Sequence, residues 1–223
     1  YPLRQYVYGY MATMTGAEIE VSNDRYFRTS ELLCCLTDTP RTNLNYYYPK
    51  ISRPYRYVRF TPPPPAYPTA DCRAEIAELA FFDSVDSEEH LPSKAIYGGG
   101  PVDENPAHDI DKACDDDWLT FYYSSGPQDS IVFDLQRARV IKKILFVPRN
   151  DDNFITPGNV YELFYQSGVK GWISLGVQTA TTNELIYRNI PEGALLWLRN
   201  LTRGKEEQVF YVENDRQRFV GYE

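Results

Sequence analysis

The amino-acid sequence predicts an all-β fold made of antiparallel β-sandwich modules in tandem. Aromatic residues make up 15% of the 223 residues, 19 of them tyrosines, and β-strands favour such side chains. The chain also holds 16 prolines and 13 glycines, which divide it into short segments. In addition, one series of strand-like runs occurs twice in the same order, which is the pattern of a duplicated module.

Apolar runs in the second half of the chain predict five short β-strands. Each run is bounded by Gly, Pro, Asn or Asp, as the strands of an antiparallel sandwich require. Further along, Asn214-Asp215 predicts a hairpin turn that leads into a last strand over 217–220. The five runs are residues 130–135, 140–147, 160–165, 171–175 and 194–199.

Counterparts of these runs occur in the first half, with apolar and polar positions in phase. The alignment distinguishes a strand from a helix at residues 76–82, where the Ala, Glu and Leu content alone favours a helix. Because the counterpart at 208–212 is strand-like, we predict a closing strand there, with a helix as the alternative. The aligned pairs are 3–9 with 141–147, 16–22 with 158–165, 32–36 with 172–175, 55–60 with 195–200, and 75–82 with 206–211.

The repeat predicts a partial β-sandwich module at 1–83, a linker at 84–101 and a second module at 102–223. The linker is acidic and polar and ends near a run of three glycines. Residues 108–135 have no counterpart before Leu3. We therefore expect the chain to begin inside its first module, and a catalytic domain upstream of Tyr1 is a candidate partner in the same polypeptide.

Charge and hydropathy exclude two classes of partner. The formal net charge is −8 and the pI is about 4.9, so the surface field repels nucleic-acid phosphates and anionic lipid headgroups. No run approaches the roughly 20 apolar residues of a membrane span. The sequence predicts neither nucleic-acid binding nor membrane insertion.

Four cysteines, at positions 34, 35, 72 and 114, lack the spacing of zinc ligands. We expect buried free thiols. A bridge from Cys34 or Cys35 to Cys72 stays open as an alternative, and it would favour an oxidising compartment.

Residues 112–121, Lys-Ala-Cys-Asp-Asp-Asp-Trp-Leu-Thr-Phe, resemble the opening signature of discoidin domains, also called coagulation-factor type C domains. Residues 130–147 resemble the strands that follow in that family. The resemblance covers 88–223 and, through the repeat, the second half of the family pattern in 1–83. It implies a jelly-roll sandwich of the galactose-binding-like fold, glycan binding through loops at one end, and often a structural calcium ion. Two family glycines are replaced, by Asp116 and Gln136.

Hard oxygen ligands crowd the loop of this signature. Asp115, Asp117 and Thr120 carry the oxygen ligands that Ca²⁺ prefers, and Glu207 from the closing strand is the additional ligand we expect. The alternative is a solvated acidic turn in which the aspartates cap backbone N–H groups.

The loop at 149–154 is the predicted ligand-binding site. It offers hydrogen-bond donors, acceptors and an aromatic face together, as sugar recognition requires. The alternative is a connector rich in Asx turns, with Arg149 in a structural salt bridge. We expect Trp172 and Trp197 in the core and Trp118 at the surface. The predicted ligand-binding residues are Arg149, Asn150, Asp152, Asn153, Phe154 and Trp118.

The sequence offers few catalytic groups. Only His90 and His108 are present, so a Ser-His-Asp or Cys-His arrangement has poor candidates. We predict a non-catalytic carbohydrate-binding module of a secreted or surface bacterial protein, in an extracellular, cell-surface or periplasmic location. One alternative is a structural or protein-interaction spacer beside the upstream catalytic domain. Another is a hydrolase that uses Asp117 and Glu207.

Overall fold

The computed structural model describes residues 14–39, 43–64, 72–101 and 104–221. The described residues form antiparallel strands and three short 3₁₀ helices, at Pro106–His108, Ile110–Ala113 and Gly168–Lys170. This confirms the all-β prediction. The strands are β1 (Glu18–Ser22), β2 (Glu31–Cys35), β3 (Asn45–Tyr47), β4 (Tyr55–Thr61), β5 (Glu75–Phe82), β6 (Lys94–Tyr97), β7 (Tyr122–Tyr123), β8 (Ile131–Arg139), β9 (Lys143–Pro148), β10 (Val160–Gln166), β11 (Trp172–Thr179), β12 (Leu196–Asn200), β13 (Lys205–Glu206), β14 (Phe210–Glu213) and β15 (Arg216–Phe219).

The chain divides into two compact units, but not at the predicted linker. Among the described residues, the first unit holds those from 14 to 151 and the second those from 152 to 221. Strands from both predicted modules share sheets, since β4 pairs with β8 and β5 pairs with β9. The boundaries 1–83, 84–101 and 102–223 are therefore corrected. Apolar periodicity identifies a strand, but it does not identify the strand's neighbours in a sheet.

The first unit is a sandwich of two antiparallel sheets. Its sheets have the strand orders β2-β1-β4-β8-β6 and β3-β9-β5-β7. Inward-facing aromatic side chains fill the core: the rings of Phe60 and Phe146 stack with centroids 5.8 Å apart, and those of Phe81 and Phe133 meet edge to face at 5.6 Å. Burial of each such ring contributes about 2–3 kcal/mol to the stability of the sandwich.

The closing strand predicted at 76–82 is confirmed as β5. All eight of its residues are buried. Ile76 and Phe81 belong to the main core, whereas Ala77 and Phe82 belong to a second apolar cluster that includes Val147 of β9. A strand that is buried on both faces shows no alternation of polar and apolar residues. The composition of β5 favours a helix, but its pairing with β9 stabilises the strand instead.

The second unit is a single antiparallel sheet of order β11-β10-β12-β14-β15, with β13 paired to β12. One face of this sheet buries Tyr161, Leu163, Leu196 and Leu198, and Leu185 and Tyr187 from the segment after β11 pack against them. The predicted hairpin turn is confirmed between β14 and β15. There Asn214 and Asp215 have φ angles of 49° and 58°, as a two-residue type I′ turn requires.

The register of strand pairing supports the internal repeat. Ile19 of β1 faces Phe60 of β4, and Tyr161 of β10 faces Asn200 of β12. The sequence alignment of 55–60 with 195–200 equates Phe60 with Asn200, so the structure keeps that alignment residue by residue. The strand orders β2-β1-β4 and β11-β10-β12 also correspond. The proposed counterpart at 3–9 lies outside the described residues.

The turn before each repeated hairpin has the same hydrogen bonds. Gly16, with φ of 94°, donates its N–H to the Leu36 carbonyl at 2.7 Å. Gly158, with φ of 87°, donates to the Ala180 carbonyl at 2.8 Å. A left-handed backbone of this kind favours glycine in both copies. The turns also correct one aligned pair: the counterpart of 32–36 is 176–180 and not 172–175.

Two residues that stand where discoidin domains have glycine in the sequence resemblance adopt the left-handed region. Asp116 has φ of 61° and Gln136 has φ of 65°. A Cβ atom in this region costs about 1–2 kcal/mol. The backbone at both positions therefore has a conformation that suits glycine.

We expect Gln136→Gly to raise the free energy of unfolding of the first unit by about 0.5–1 kcal/mol, because relief of Cβ strain exceeds the entropy that glycine loses. Gln136 is exposed, so little packing is lost. Hydrogen exchange measured against denaturant on peptides from β4 and β8 reports this unit alone. Gln136→Ala keeps the Cβ atom and serves as the control. Equal stabilities of the Gly and Ala variants would show that no strain is stored at this position.

Candidate functional site

Arg149, from the predicted binding loop, ties three strands of the first unit together. Its Nε lies 2.9 Å from Asp151 Oδ1, and its Nη1 lies 3.2 Å from Glu75 Oε2. The guanidinium also lies over the rings of Phe121 and Tyr123, at 4.5 and 5.7 Å from their centroids. These contacts join the end of β9 to the starts of β5 and β7, so they fit the structural salt-bridge alternative.

Four further residues of the predicted ligand-binding set divide between the two units. In the first unit, Asn150 is buried and donates from Nδ2 to the Trp118 carbonyl at 2.7 Å. Asp152, Asn153 and Phe154 belong to the second unit. There Asn153 is buried, and the Asp152 carbonyl accepts from the Lys205 ammonium at 2.6 Å.

Trp118 completes the predicted set, and its surface position is confirmed by an exposed fraction of 37%. It belongs to the first unit, together with Arg149 and Asn150. No single unit therefore contains all six predicted residues.

The acidic loop at 115–120 is organised by its own side chains. Thr120 donates from Oγ1 to both carboxylate oxygens of Asp115, at 3.0 Å each. Asp117 donates its backbone N–H to Asp115 at 3.1 Å, and its carboxylate caps the Leu119 N–H at 3.0 Å. Lys112 Nζ lies 3.3 Å from Asp115. These are the contacts of the capped acidic turn that was the alternative to a calcium site.

Glu207, the fourth predicted calcium ligand, belongs to the second unit and is buried there, with Lys205 Nζ 3.7 Å from its Oε1. Within the described ranges, no three Asp, Glu, His or Cys side chains are grouped as a metal site would need. Asp115, Asp117 and Thr120 belong to the first unit and Glu207 to the second, and calcium stays a prediction.

Glu78 is the carboxylate that the sequence analysis did not single out. It lies in β5 with 2% exposure, and its Oε2 accepts the Asp116 N–H at 3.0 Å. Burial raises the pKa of Glu78 from 4.5 to about 8, and the charges of Asp116 and Asp115 add to that effect. On the other side of the loop, His90 Nε2 lies 3.0 Å from Asp116 Oδ1. Glu78 therefore anchors the acidic loop to the core.

The four cysteines are free thiols. Burial raises the pKa of Cys34 to about 12, and burial also raises the pKa of Cys114 to about 11. These two thiols stay protonated at neutral pH, so they are poor nucleophiles.

An aromatic strip lies on the outer face of the second unit's sheet, and we define it as Phe164, Trp172 and Trp197. The centroid of Trp197 is 5.6 Å from that of Trp172 and 5.7 Å from that of Phe164. The prediction that both tryptophans are core residues is wrong. Trp197 alternates with the buried Leu196 and Leu198, and Trp172 is 36% exposed.

A charged pair borders the aromatic strip. Arg199 lies with its guanidinium 5.3 Å from the centroid of Trp197. On the neighbouring strand, Glu162 is its cross-strand partner and accepts from Ser174 Oγ at 2.7 Å. A positively charged hydrogen-bond donor, Arg199, and a negatively charged acceptor, Glu162, thus lie beside the aromatic rings.

The first unit shows that the fold does not require these rings. In the repeat, Glu20 and Arg59 correspond to Glu162 and Arg199, and they form an ion pair at 2.5 Å. At the positions of Phe164 and Trp197, the first unit has Ser22 and Tyr57. The charged pair is therefore common to both copies, whereas the paired aromatic rings on the outer face belong to the second.

Comparison of the chain with protein-family models, with curated proteins and with solved structures finds no match. None of the helices in the described part of the chain has the length and apolar character of a membrane span.

We expect the contribution of Glu78 to the free energy of unfolding of the first unit to fall as the pH rises from about 4.5 to about 8. The unfolded chain releases this proton near 4.5, while the folded chain holds it until about pH 8, so ionisation favours unfolding across that window. Glu78→Gln removes this dependence and raises the unfolding free energy at pH 8. Urea unfolding at pH 5 and pH 8, monitored by hydrogen exchange in β5, measures this pH dependence. Glu89→Gln, at an exposed position, is the control. Parallel pH profiles for wild type and Glu78→Gln would contradict the assignment.

We expect Arg149→Met to lower the free energy of unfolding of the first unit by about 3 kcal/mol, because the carboxylate of Glu75 is left buried without its guanidinium partner. The side chain of Glu75 is 8% exposed. Adding Glu75→Gln should restore part of the loss, which a double-mutant cycle in urea measures. If Arg149→Met is as stable as the wild type, the structural role of Arg149 is contradicted and its predicted role in ligand binding becomes the better assignment.

Proposed function

We propose that this chain is a non-catalytic carbohydrate-recognition unit of a secreted or cell-surface protein. The aromatic strip of the second unit carries the proposal. Sugar rings present C–H faces that pack on aromatic rings, and their hydroxyl groups need both donors and acceptors nearby. Trp172 and Trp197 supply the faces, and the pair Arg199 and Glu162 supplies polar groups of both kinds.

The sequence resemblance to discoidin domains supports the same function. That family commonly binds glycans, and residues 112–121 carry its opening signature. The left-handed backbone at Asp116 and Gln136, where the family has glycine, is consistent with the resemblance. The aromatic strip lies on a sheet face, however, so the proposed site differs from the loop at 149–154 that the sequence favoured.

The contacts of both histidines support a non-catalytic role. His90 contacts Asp116, and its Nδ1 lies 3.0 Å from the Leu91 carbonyl oxygen. His108 packs on the ring of Phe121 with centroids 4.4 Å apart.

A protein-interaction role is the second candidate function. Exposed apolar side chains of the second unit favour it, among them Val177 at 55% and Ile186 at 65% exposure. Such side chains are typical of surfaces that dock another protein when they are contiguous. A spacer of this kind would orient a catalytic domain in the same polypeptide.

The proposal predicts that Trp197→Ala lowers affinity for a bound polysaccharide at least tenfold, because about 1.4 kcal/mol or more of stacking and burial is lost. Affinity electrophoresis through gels that contain soluble polysaccharides measures the binding, with calcium and with a chelator. Trp197→Phe keeps a ring and should retain part of the affinity. Ile186→Ala, in the same unit, is the matched control and should bind as the wild type does.

The carbohydrate proposal would be overturned if no polysaccharide or glycan on an array retards or captures the wild type in either condition. Binding that is equally strong in Trp197→Ala would overturn the assignment of the site to the aromatic strip. Binding that is lost in Ile186→Ala but not in Trp197→Ala would place the carbohydrate site on the apolar surface around Ile186.

A further inference from the structure

We infer that the ligand of the aromatic strip is a single twisted chain of neutral hexoses. It is neither the flat face of a crystalline polysaccharide nor a polyanionic chain. This inference rests on the proposed carbohydrate recognition, and it is carried by the mutual tilt of the rings and by the balanced charges beside them.

The rings of the aromatic strip are not coplanar. The plane of Trp172 is inclined by 53° to that of Trp197, and the plane of Phe164 by 37°. A flat polysaccharide ribbon presents sugar faces that lie nearly in one plane, so it cannot stack on two rings inclined in this way. A chain that turns from one sugar to the next presents successive faces at an angle, and such a chain matches both rings.

The three rings stand on three neighbouring strands, since β10 lies between β11 and β12. The backbones of β11 and β12 are two strand spacings apart, about 10 Å. The side chains nevertheless bring the centroids of Trp172 and Trp197 to 5.6 Å from each other, and Phe164 lies 5.7 Å from Trp197. The aromatic strip is therefore a compact platform of tilted rings that contacts a short stretch of a sugar chain.

The charges beside the aromatic strip favour a neutral ligand. Arg199 stands over Trp197, but Glu162 is its cross-strand partner, so the pair carries no net charge. An anionic sugar that approached Arg199 would also meet the carboxylate of Glu162. The whole chain carries a formal charge of −8, which repels polyanions at long range.

The test compares four polysaccharides with the full chain. Laminarin and amylose are soluble, neutral and twisted; microcrystalline cellulose presents flat faces; and polygalacturonate is anionic. Affinity electrophoresis measures the soluble polymers and sedimentation measures cellulose. We expect retardation by laminarin or amylose, no retention on cellulose, and no binding to polygalacturonate at physiological salt.

The tryptophan variants connect binding to the tilted rings. Trp172→Leu should weaken binding to the soluble neutral polymer at least fivefold, whereas Trp172→Phe should retain most of it, because the phenylalanine ring keeps a stacking face. Ile186→Ala is the control and should bind unchanged.

The outcomes separate this inference from the proposed function. Retention on cellulose that Trp172→Leu abolishes would overturn the twisted chain and leave carbohydrate recognition standing. Binding to polygalacturonate that Trp172→Leu abolishes would overturn the neutral chain in the same way. Binding to none of the four polymers would overturn the inference, and a blank glycan array would overturn the proposed function with it.

Discussion

Pairing between strands that are far apart in sequence determines the rest of this structure. β4 pairs with β8 and β5 pairs with β9, so residues 55–82 and 131–148 fill one sandwich. The stacked rings of Phe60 and Phe146 lie at the centre of that arrangement. Because β8 and β9 belong to the first unit, the repeated strands β10 to β12 form the sheet of a second unit. That sheet buries one face under its own segment and presents the aromatic strip on the other.

The sequence predicted strands better than it predicted their neighbours. The repeat located β10 and β12 to within a residue or two, and it equated Phe60 with Asn200 as the register does. Alternation of side chains is local, so one strand's pattern is enough to recognise it. The partner of β9 was not predictable in this way. All six of its residues are buried, and a run without alternation fits equally well into either module.

The acidic loop shows a contact that the sequence analysis did not predict. Glu207, from the closing strand of the second half, was predicted as a ligand beside Asp115 and Asp117, and that stays a prediction. In the first unit, the carboxylate of Glu78 in β5 accepts the Asp116 N–H. The tryptophans were assigned to the core because both lie in strands, although the alternation with the buried neighbours Leu196 and Leu198 places Trp197 on the opposite face of its strand.

The two copies of the repeat share a charged pair on the outer face and differ in the aromatic rings beside it. Both carry a glutamate and an arginine at matched positions of neighbouring strands, which is a stabilising cross-strand pair on an outer face. Among the described residues, the second copy adds paired aromatic rings there, and 36% of the surface of Trp172 is exposed. Because Trp172 is partly exposed, folding gains less free energy from its ring than from a fully buried one. A sugar ring stacked on the aromatic strip would remove this surface from water, so the exposed area becomes a source of binding free energy.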